Sequence, residues 1–156
     1  MSIINIYDIF VVVAMLRSEI LSNYEPHSQL RSSSSHLQPI FILVVDDEPD
    51  INLSLKISLE DNGFQVDAFD DPVLALDNFR KGAYDLLILD IKMPKLNGFE
   101  LYREIRKIDN KVKICFLTAG EMYYGAYADI FNENQFIRKP IENKELINRV
   151  NEMINS

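Results

Sequence analysis

Five residues of types that work together in phosphoryl chemistry recur at one kind of position in this chain: Asp46, Asp47, Asp90, Thr118 and Lys139. Asp46-Asp47 closes the apolar run Ile42-Leu43-Val44-Val45, and Asp90 closes Leu86-Leu87-Ile88-Leu89. Thr118 closes Ile114-Cys115-Phe116-Leu117, and Lys139-Pro140 follows Phe136-Ile137-Arg138. Buried carboxylates that stand alone are costly, so a cluster of three persists where a cation neutralises it. Oxygen-only ligation of this kind suits Mg²⁺, which takes one or two carboxylates and fills its remaining positions with water and phosphate oxygens. A hydroxyl can donate a hydrogen bond, and a lysine ammonium neutralises phosphoryl oxygens as a point charge. Metal, lysine and donor are the parts that phosphoryl transfer needs, because its catalysis is mostly positioning and charge stabilisation. Singly, Thr118 is a strand-end cap, Lys139 a surface charge and Asp90 a turn former; it is the shared placement that argues for chemistry.

For these residues to meet, the apolar runs must be neighbouring strands of one sheet. Runs of four apolar residues bounded by turn formers are strands buried on both faces, which belong to parallel sheets, and ligands bind at the carboxyl ends of such strands. Between them the sequence supplies helices. Glu48-Pro49-Asp50 is a helix start; the strict alternation of Ile51, Leu53, Leu55, Ile57 and Leu59 has a strand's period, but the run is long and closes at Asn62-Gly63, so a helix is expected. Its inner face would carry Ile51, Leu55 and Leu59 with the small Ser54 and Ser58. Residues 64–69 read as the second strand, and Asp71-Pro72 opens a second helix, with Leu76, Phe79 and Val73 or Ala75 on its apolar face up to Gly82. The loop Ile91 to Gly98 leads to a helix with Leu101, Ile105 and Ile108 inward, and Lys113 to Thr118 is the fourth strand. A weaker helix is expected from about Glu121 to Phe131, then a short strand over Gln135 to Arg138, then a last helix capped by Asn143 and carrying Leu146, Val150 and Met153 or Ile154. Five β/α units in series predict a parallel sheet with helices on both faces and right-handed crossovers.

Composition narrows the function. The 156 residues carry 24 acids against 16 bases, a net charge of −8, which disfavours direct nucleic-acid binding. The single cysteine, Cys115, falls inside an apolar run and reads as a small buried hydrophobe. Residues 1–39 are of another kind and are expected to form an extension and Ser-rich linker before a domain over 40–156. Ile9 to Leu16 is too short an apolar run to cross a bilayer and lacks the preceding positive charge of a secretory signal, so no membrane span and a cytoplasmic location are expected. From Ser22 to Pro39 the chain is polar and holds Ser32 to Ser35 together; His27 and His36 within it lack acidic or cysteine partners for a metal.

Taken in order, Val44-Val45-Asp46-Asp47-Glu48, Leu89-Asp90-Ile91-Lys92-Met93-Pro94, Thr118-Ala119 and Lys139-Pro140 resemble the receiver domains of two-component response regulators over about residues 40–154. The resemblance implies a flavodoxin-like fold with strand order 2-1-3-4-5. It implies Asp90 as acceptor of a phosphoryl group from a histidine kinase or phosphotransfer protein, Asp47 and Asp90 as Mg²⁺ ligands with the main-chain carbonyl of Lys92, and Asp46 acting through metal-bound water. Lys139 would bind a phosphoryl oxygen, with a cis bond to Pro140. Thr118 would turn towards the phosphoryl group and Phe136 would follow it inward as the switch aromatic.

Phe136 stands where the family often has tyrosine, and Asn132 where it usually has glycine; asparagine tolerates the left-handed conformation of a helix end. With no output domain read after Ser156, the expected product is a changed surface read by another protein or a second copy, and not enzymatic turnover. Within the helix expected after Thr118, aligning the approach to Lys139-Pro140 with the family puts Ala128 and Phe131 inward, which leaves Tyr123, Tyr127 and Ile130 at least partly exposed as a candidate contact surface. A haloacid-dehalogenase-like phosphatase would need an Asp-x-Asp pattern that Asp46-Asp47-Glu48 lacks. A constitutive scaffold of receiver fold would not need the acceptor, threonine and lysine together.

Overall fold

The computed structural model describes residues 38–120 and 129–156. The apolar run Ile9 to Leu16, the Ser-rich linker with His27 and His36, and the outward tyrosines Tyr123 and Tyr127 lie outside the described residues. The elements are β1 (Phe41–Val45), α1 (Pro49–Glu60), β2 (Gln65–Phe69), α2 (Pro72–Asn78), β3 (Leu86–Asp90), α3 (Gly98–Ile108), β4 (Lys113–Thr118), a 3₁₀ turn (Glu133–Gln135), β5 (Phe136–Arg138) and α4 (Asn143–Asn155). The five strands form one sheet in the order β2-β1-β3-β4-β5, and every pairing is parallel. This is the flavodoxin-like arrangement. No helix among the described residues is long and apolar enough to cross a membrane.

Alternate residues of the central strands feed two cores. Leu43, Val45, Leu87, Leu89 and Phe116 face one way and pack with Ala75, Leu101 and Ile105. Ile42, Val44, Leu86, Ile88, Cys115 and Leu117 face the other way, against Leu55 and Leu59 of α1 and Leu146, Val150 and Met153 of α4. Each such aliphatic side chain, wholly removed from water, contributes about 1.5–3 kcal/mol. Cys115 is wholly buried, and that burial pushes its thiol up to about 12.

The ambiguous run after Pro49 is a helix, and its geometry explains the strand-like period. Leu55 and Leu59 are buried, while Leu53 and Ile57, on the outer face, are exposed. Ser58 is buried as expected; Ser54 is exposed, and Asn52 takes an inner place instead. In α2, Asp71 accepts hydrogen bonds from the amides of Val73 and Leu74 behind Pro72. That helix stops at Asn78, short of Gly82, because Phe79 leaves the helical path to enter the core; Ala75 is buried and Val73 is exposed. In α3, Asn97 and Glu100 cap each other's amides, and Leu101 and Ile105 are buried. Ile108, expected inward, is 41% exposed, and the neighbouring interior position is held by Asp109.

Asp109 is a buried carboxylate at the amino end of β4. Its oxygens accept from the amides of Gly82 at 2.9 Å, Lys111 at 2.8 Å and Val112 at 3.3 Å. Burial alone would raise its pKa, but these amides outweigh it and hold the carboxyl below the usual range. Near the expected helix end, residues 129–131 form turn and bend; Phe131 is buried and Ile130 exposed, as anticipated. Asn132 is extended at φ −81°, outside the left-handed region, and its amide donates to Gln135 Oε1 at 3.1 Å. Gln135 therefore belongs to a 3₁₀ turn, and β5 starts at Phe136. Asn143 is the first residue of α4, after Glu142 in extended conformation, and does not cap it; its Oδ1 accepts from Ser58 Oγ at 2.9 Å, tying α4 to α1. At the other end of α4, Lys113 Nζ donates to the carbonyls of Met153 and Ile154 in the last turn of that helix.

Between β3 and α3 the chain doubles back tightly. Lys95 sits at φ 67°, and its ammonium pairs with Asp71. The Gly98 amide donates to the Ile91 carbonyl at 3.1 Å, which brings the start of α3 hard against the end of β3. A Cβ at Gly98 would collide with the carbonyl oxygen of Asp90 and lie 3.0 Å from its carbonyl carbon. Both are backbone atoms and cannot swing aside. Gly98→Ala is therefore expected to destabilise the protein by about 1–3 kcal/mol through overpacking, read as a lower melting temperature; an unchanged melt would contradict this close approach.

Candidate functional site

Register brings the chemistry-bearing residues to one edge. Val45 pairs with Leu89, so Asp46 comes level with Asp90; Asp90 pairs with Leu117 and Thr118 with Arg138, so Thr118 lies one residue and Lys139 two residues beyond that level on the same edge. The Lys139 amide donates to the Thr118 carbonyl at 2.8 Å, which continues the β4–β5 ladder one residue past the strand. Asp46, Asp47 and Asp90 each offer a carboxylate oxygen, all within 4.8 Å of one another.

Asp46 is 0% exposed; its Oδ1 accepts from the Glu48 amide at 3.0 Å, which orders the entry to α1. Its Oδ2 lies 2.6 Å from Lys139 Nζ and is otherwise without a partner. The same ammonium lies 3.0 Å from Asp90 Oδ1 and 3.6 Å from Glu48 Oε1. One lysine thus serves two buried carboxylates and leans towards a third at the rim. Burial is the largest influence on Asp90 and raises its pKa; Lys139 pulls it down, Asp46 and Asp47 push it up, and the outcome is about 6. For Lys139 burial works against the charge, but Asp46 and Asp90 outweigh it, so its pKa rises and it remains an ammonium.

The donor set fits a divalent cation. Three carboxylates face one ammonium, and a fully buried oxygen of Asp46 has only that ammonium beside it. Oxygen ligands with excess negative charge, one of them half exposed at Asp47, are the ligation that Mg²⁺ accepts. Lys92 lies two residues beyond Asp90, exposed on the loop that leads to Gly98. Thr118 is buried at the neighbouring strand end, but its hydroxyl donates to the Gly120 carbonyl at 2.9 Å and accepts from the Gly120 amide at 3.2 Å. The threonine is thus held by its own loop. Phe136 is inward, with ring centroids 5.6 Å from Phe116 and 6.2 Å from Phe131. Tyr123 and Tyr127 lie outside the described residues. Sequence reasoning missed Glu48 as a rim partner of Lys139 and Gly98 as the backing of Asp90; the Asn97-Gly98 pair was the available signal for the second.

Comparisons with known proteins follow this geometry. The family described as response regulator receiver domain matches residues 42–151. Response regulator MprA of Mycobacterium sp. (strain KMS) is 33% identical over 117 residues, covering 74% of this chain and 51% of that protein, so the chain spans about half the length of this relative. Among solved structures, the non-phosphorylated HemR receiver domain from Leptospira biflexa is 30% identical with a TM-score of 0.66, over 75% of this chain and 95% of that one. The receiver domain of sensor histidine kinase PA1611 from Pseudomonas aeruginosa PAO1, solved with a magnesium ion in its active-site cleft, is 27% identical with a TM-score of 0.64, over 76% and 99% of the two chains.

Asp90 generates a stability prediction. Its folded-state value near 6 lies above the ordinary 3.8, so between these two pH values the folded chain holds a proton that the unfolded chain has lost. Stability therefore falls as pH rises through that window. In metal-free buffer Asp90→Asn should be more stable than the wild type at pH 7 by about 1–3 kcal/mol, with the difference vanishing towards pH 4. Denaturant melts across pH check this; a variant less stable at pH 7 would contradict it.

Proposed function

The chain belongs to the response regulator receiver domain family, and from that membership we propose that it is a phosphorylation-switched signalling module whose acceptor is Asp90. The observation that carries the reading is the Asp46–Lys139–Asp90 bridge at the carboxyl edge of the sheet. An Asp90 carboxylate oxygen attacks the phosphorus of a phosphohistidine on a histidine kinase or phosphotransfer protein. The P–N bond breaks, its electron pair stays on the imidazole, which takes a proton from solvent, and an aspartyl phosphate forms. Lys139, already 3.0 Å from Asp90 Oδ1, neutralises a phosphoryl oxygen as charge accumulates. Asp46, Asp47 and Asp90, with the main-chain carbonyl of Lys92, would hold Mg²⁺, which supplies further neutralisation of the phosphoryl oxygens. Asp46, turned by the Glu48 amide and held by Lys139, keeps the acceptor's neighbour in place.

The output is a changed surface. A phosphoryl group adds up to about two negative charges, and the Thr118 hydroxyl leaves Gly120 to donate to it. That exchange pulls on the segment after Thr118, where Tyr123 and Tyr127 form the contact surface for a protein effector or a second copy. The domain over 40–156 carries this switch. With Phe136 held inward by its aromatic neighbours and bearing no hydroxyl, its part is packing.

Incubating the full chain with Mg²⁺ and acetyl phosphate should add the mass of one phosphoryl group, and Asp90→Asn should add none. Labelling of the variant at the wild-type rate would remove Asp90 from the role of acceptor, and steady phosphate release from varied monoesters would favour a phosphatase.

A further inference from the structure

The loop between β3 and α3 contains a backbone outlier. Among the described residues Lys95 is the one non-glycine residue with a positive φ, 67°, and the Leu96 amide donates across it to the Pro94 carbonyl at 2.8 Å. A three-residue turn of this hand is rare and strained for a residue with a side chain, and it persists where its surroundings hold it. Here a side chain supplies the hold. The Lys95 ammonium pairs with Asp71 Oδ2, while Asp71 Oδ1 accepts from the amides of Val73 at 2.8 Å and Leu74 at 3.4 Å. One carboxylate therefore fastens the strained turn and caps α2. Lys95 is the largest of the influences that keep this carboxyl below its ordinary range, so Asp71 stays charged.

The place of the pair gives it a task. In the sheet β1 lies between β2 and β3, and α2 and α3 pack on the same face, with Ala75, Leu101 and Ile105 in one core. The Lys95–Asp71 pair thus joins the loops after β2 and β3 past the end of β1, the strand that Asp46 and Asp47 follow. The loop it grips runs from Asp90 through Lys92 to Gly98. Main-chain bonds fix the two ends of that loop, Ile91 to Leu117 and Gly98 to Ile91, and Met93 is buried; Lys95 fixes its crest. We propose that the Lys95–Asp71 pair is a strap that holds this loop, and with it the main-chain carbonyl of Lys92, in the arrangement that receives a divalent cation. Lys95 is then a positioning residue that acts through Lys92. The proposal rests on the reading of Asp46, Asp47, Asp90 and the Lys92 carbonyl as the Mg²⁺ site. It predicts a sign that charge alone does not. Lys95 carries a positive charge five residues from Asp90, so by Coulomb's law its removal favours cation binding, whereas loss of the strap weakens it.

The test is calorimetric titration of Mg²⁺ into the full chain, wild type and variants, with melting temperatures measured in metal-free buffer. Lys95→Met should weaken Mg²⁺ binding about two- to fivefold, the range that an exposed ion pair supports. Lys95→Arg, which keeps the pair, should bind as the wild type does. Lys95→Gly should bind as weakly as Lys95→Met while keeping the melting temperature, since glycine adopts this φ without strain; a purely structural role would not separate the two readouts. Combining Lys95→Met with Asp71→Asn, which retains a cap on α2, should cost less than the product of the single losses, because the strap can be lost only once. Unchanged or tighter binding in Lys95→Met, failure of arginine to keep the affinity, or losses that multiply in the double variant would each overturn the strap. Acetyl phosphate labelling of the wild type at Asp90 reads the acceptor assignment separately. A labelled wild type whose Lys95→Met variant binds Mg²⁺ unaltered overturns the strap alone; a wild type with no Mg²⁺ affinity overturns the cation site and the strap together.

Discussion

Parallel pairing of β1 with β3 places Asp46 level with Asp90 and forces like charges together at a buried edge. Two carboxylates at such a place repel, and burial penalises each of them. The protein meets this with one ammonium. Lys139 follows β5, which in the sheet is separated from β3 by β4, and a long flexible stem is what reaches across that gap to both acids. A compact point charge suits two acceptors on different strands better than the planar fork of arginine, which matches one carboxylate at a time. The compensation is incomplete, as the raised pKa of Asp90 shows. That residual imbalance makes the edge receptive to further positive charge.

The scaffold confines this imbalance. Behind the edge, residues 41–45 and 86–89 are buried on both faces, and the side chains there are aliphatic or aromatic. Nothing polar in those strands can shift to screen the acids, so the charge problem is resolved at the edge. Loops do the positioning: the Asp46 carboxylate turns the chain into α1, and Gly98 allows α3 to start against the Asp90 carbonyl. Thr118 occupies the same edge without touching the imbalance, because its hydroxyl is satisfied by Gly120.

Much of this was legible in the sequence, since a parallel sheet buried on both faces leaves continuous apolar runs, and such runs put their terminal residues in view. Asp46, Asp47, Asp90, Thr118 and Lys139 were read from that rule alone, and the residues that carry the family resemblance are the same ones. Helix ends and helix faces were less legible. Ile108 lies at the last residue of α3, where spacing alone does not decide burial. Asn143 has the residue type of a cap, yet its side chain is spent on Ser58, a tertiary contact that local sequence does not announce. Asn132 was granted a left-handed backbone that the 3₁₀ turn does not require. Asp109 and Asn52 are polar residues whose interior places depend on where distant segments pass, and a one-dimensional pattern contains no trace of that.

Asp109 has a mechanical meaning for the domain. Its two oxygens gather the amides that begin the approach to β3 and to β4, so a single carboxylate clamps the amino ends of two adjacent strands to the end of α3. Because its pKa is lowered in the folded state, the clamp is at full strength above pH 4 and loosens as acid protonates it. Acid should then loosen the pole of the sheet opposite the acceptor, with hydrogen exchange quickening at Gly82, Lys111 and Val112.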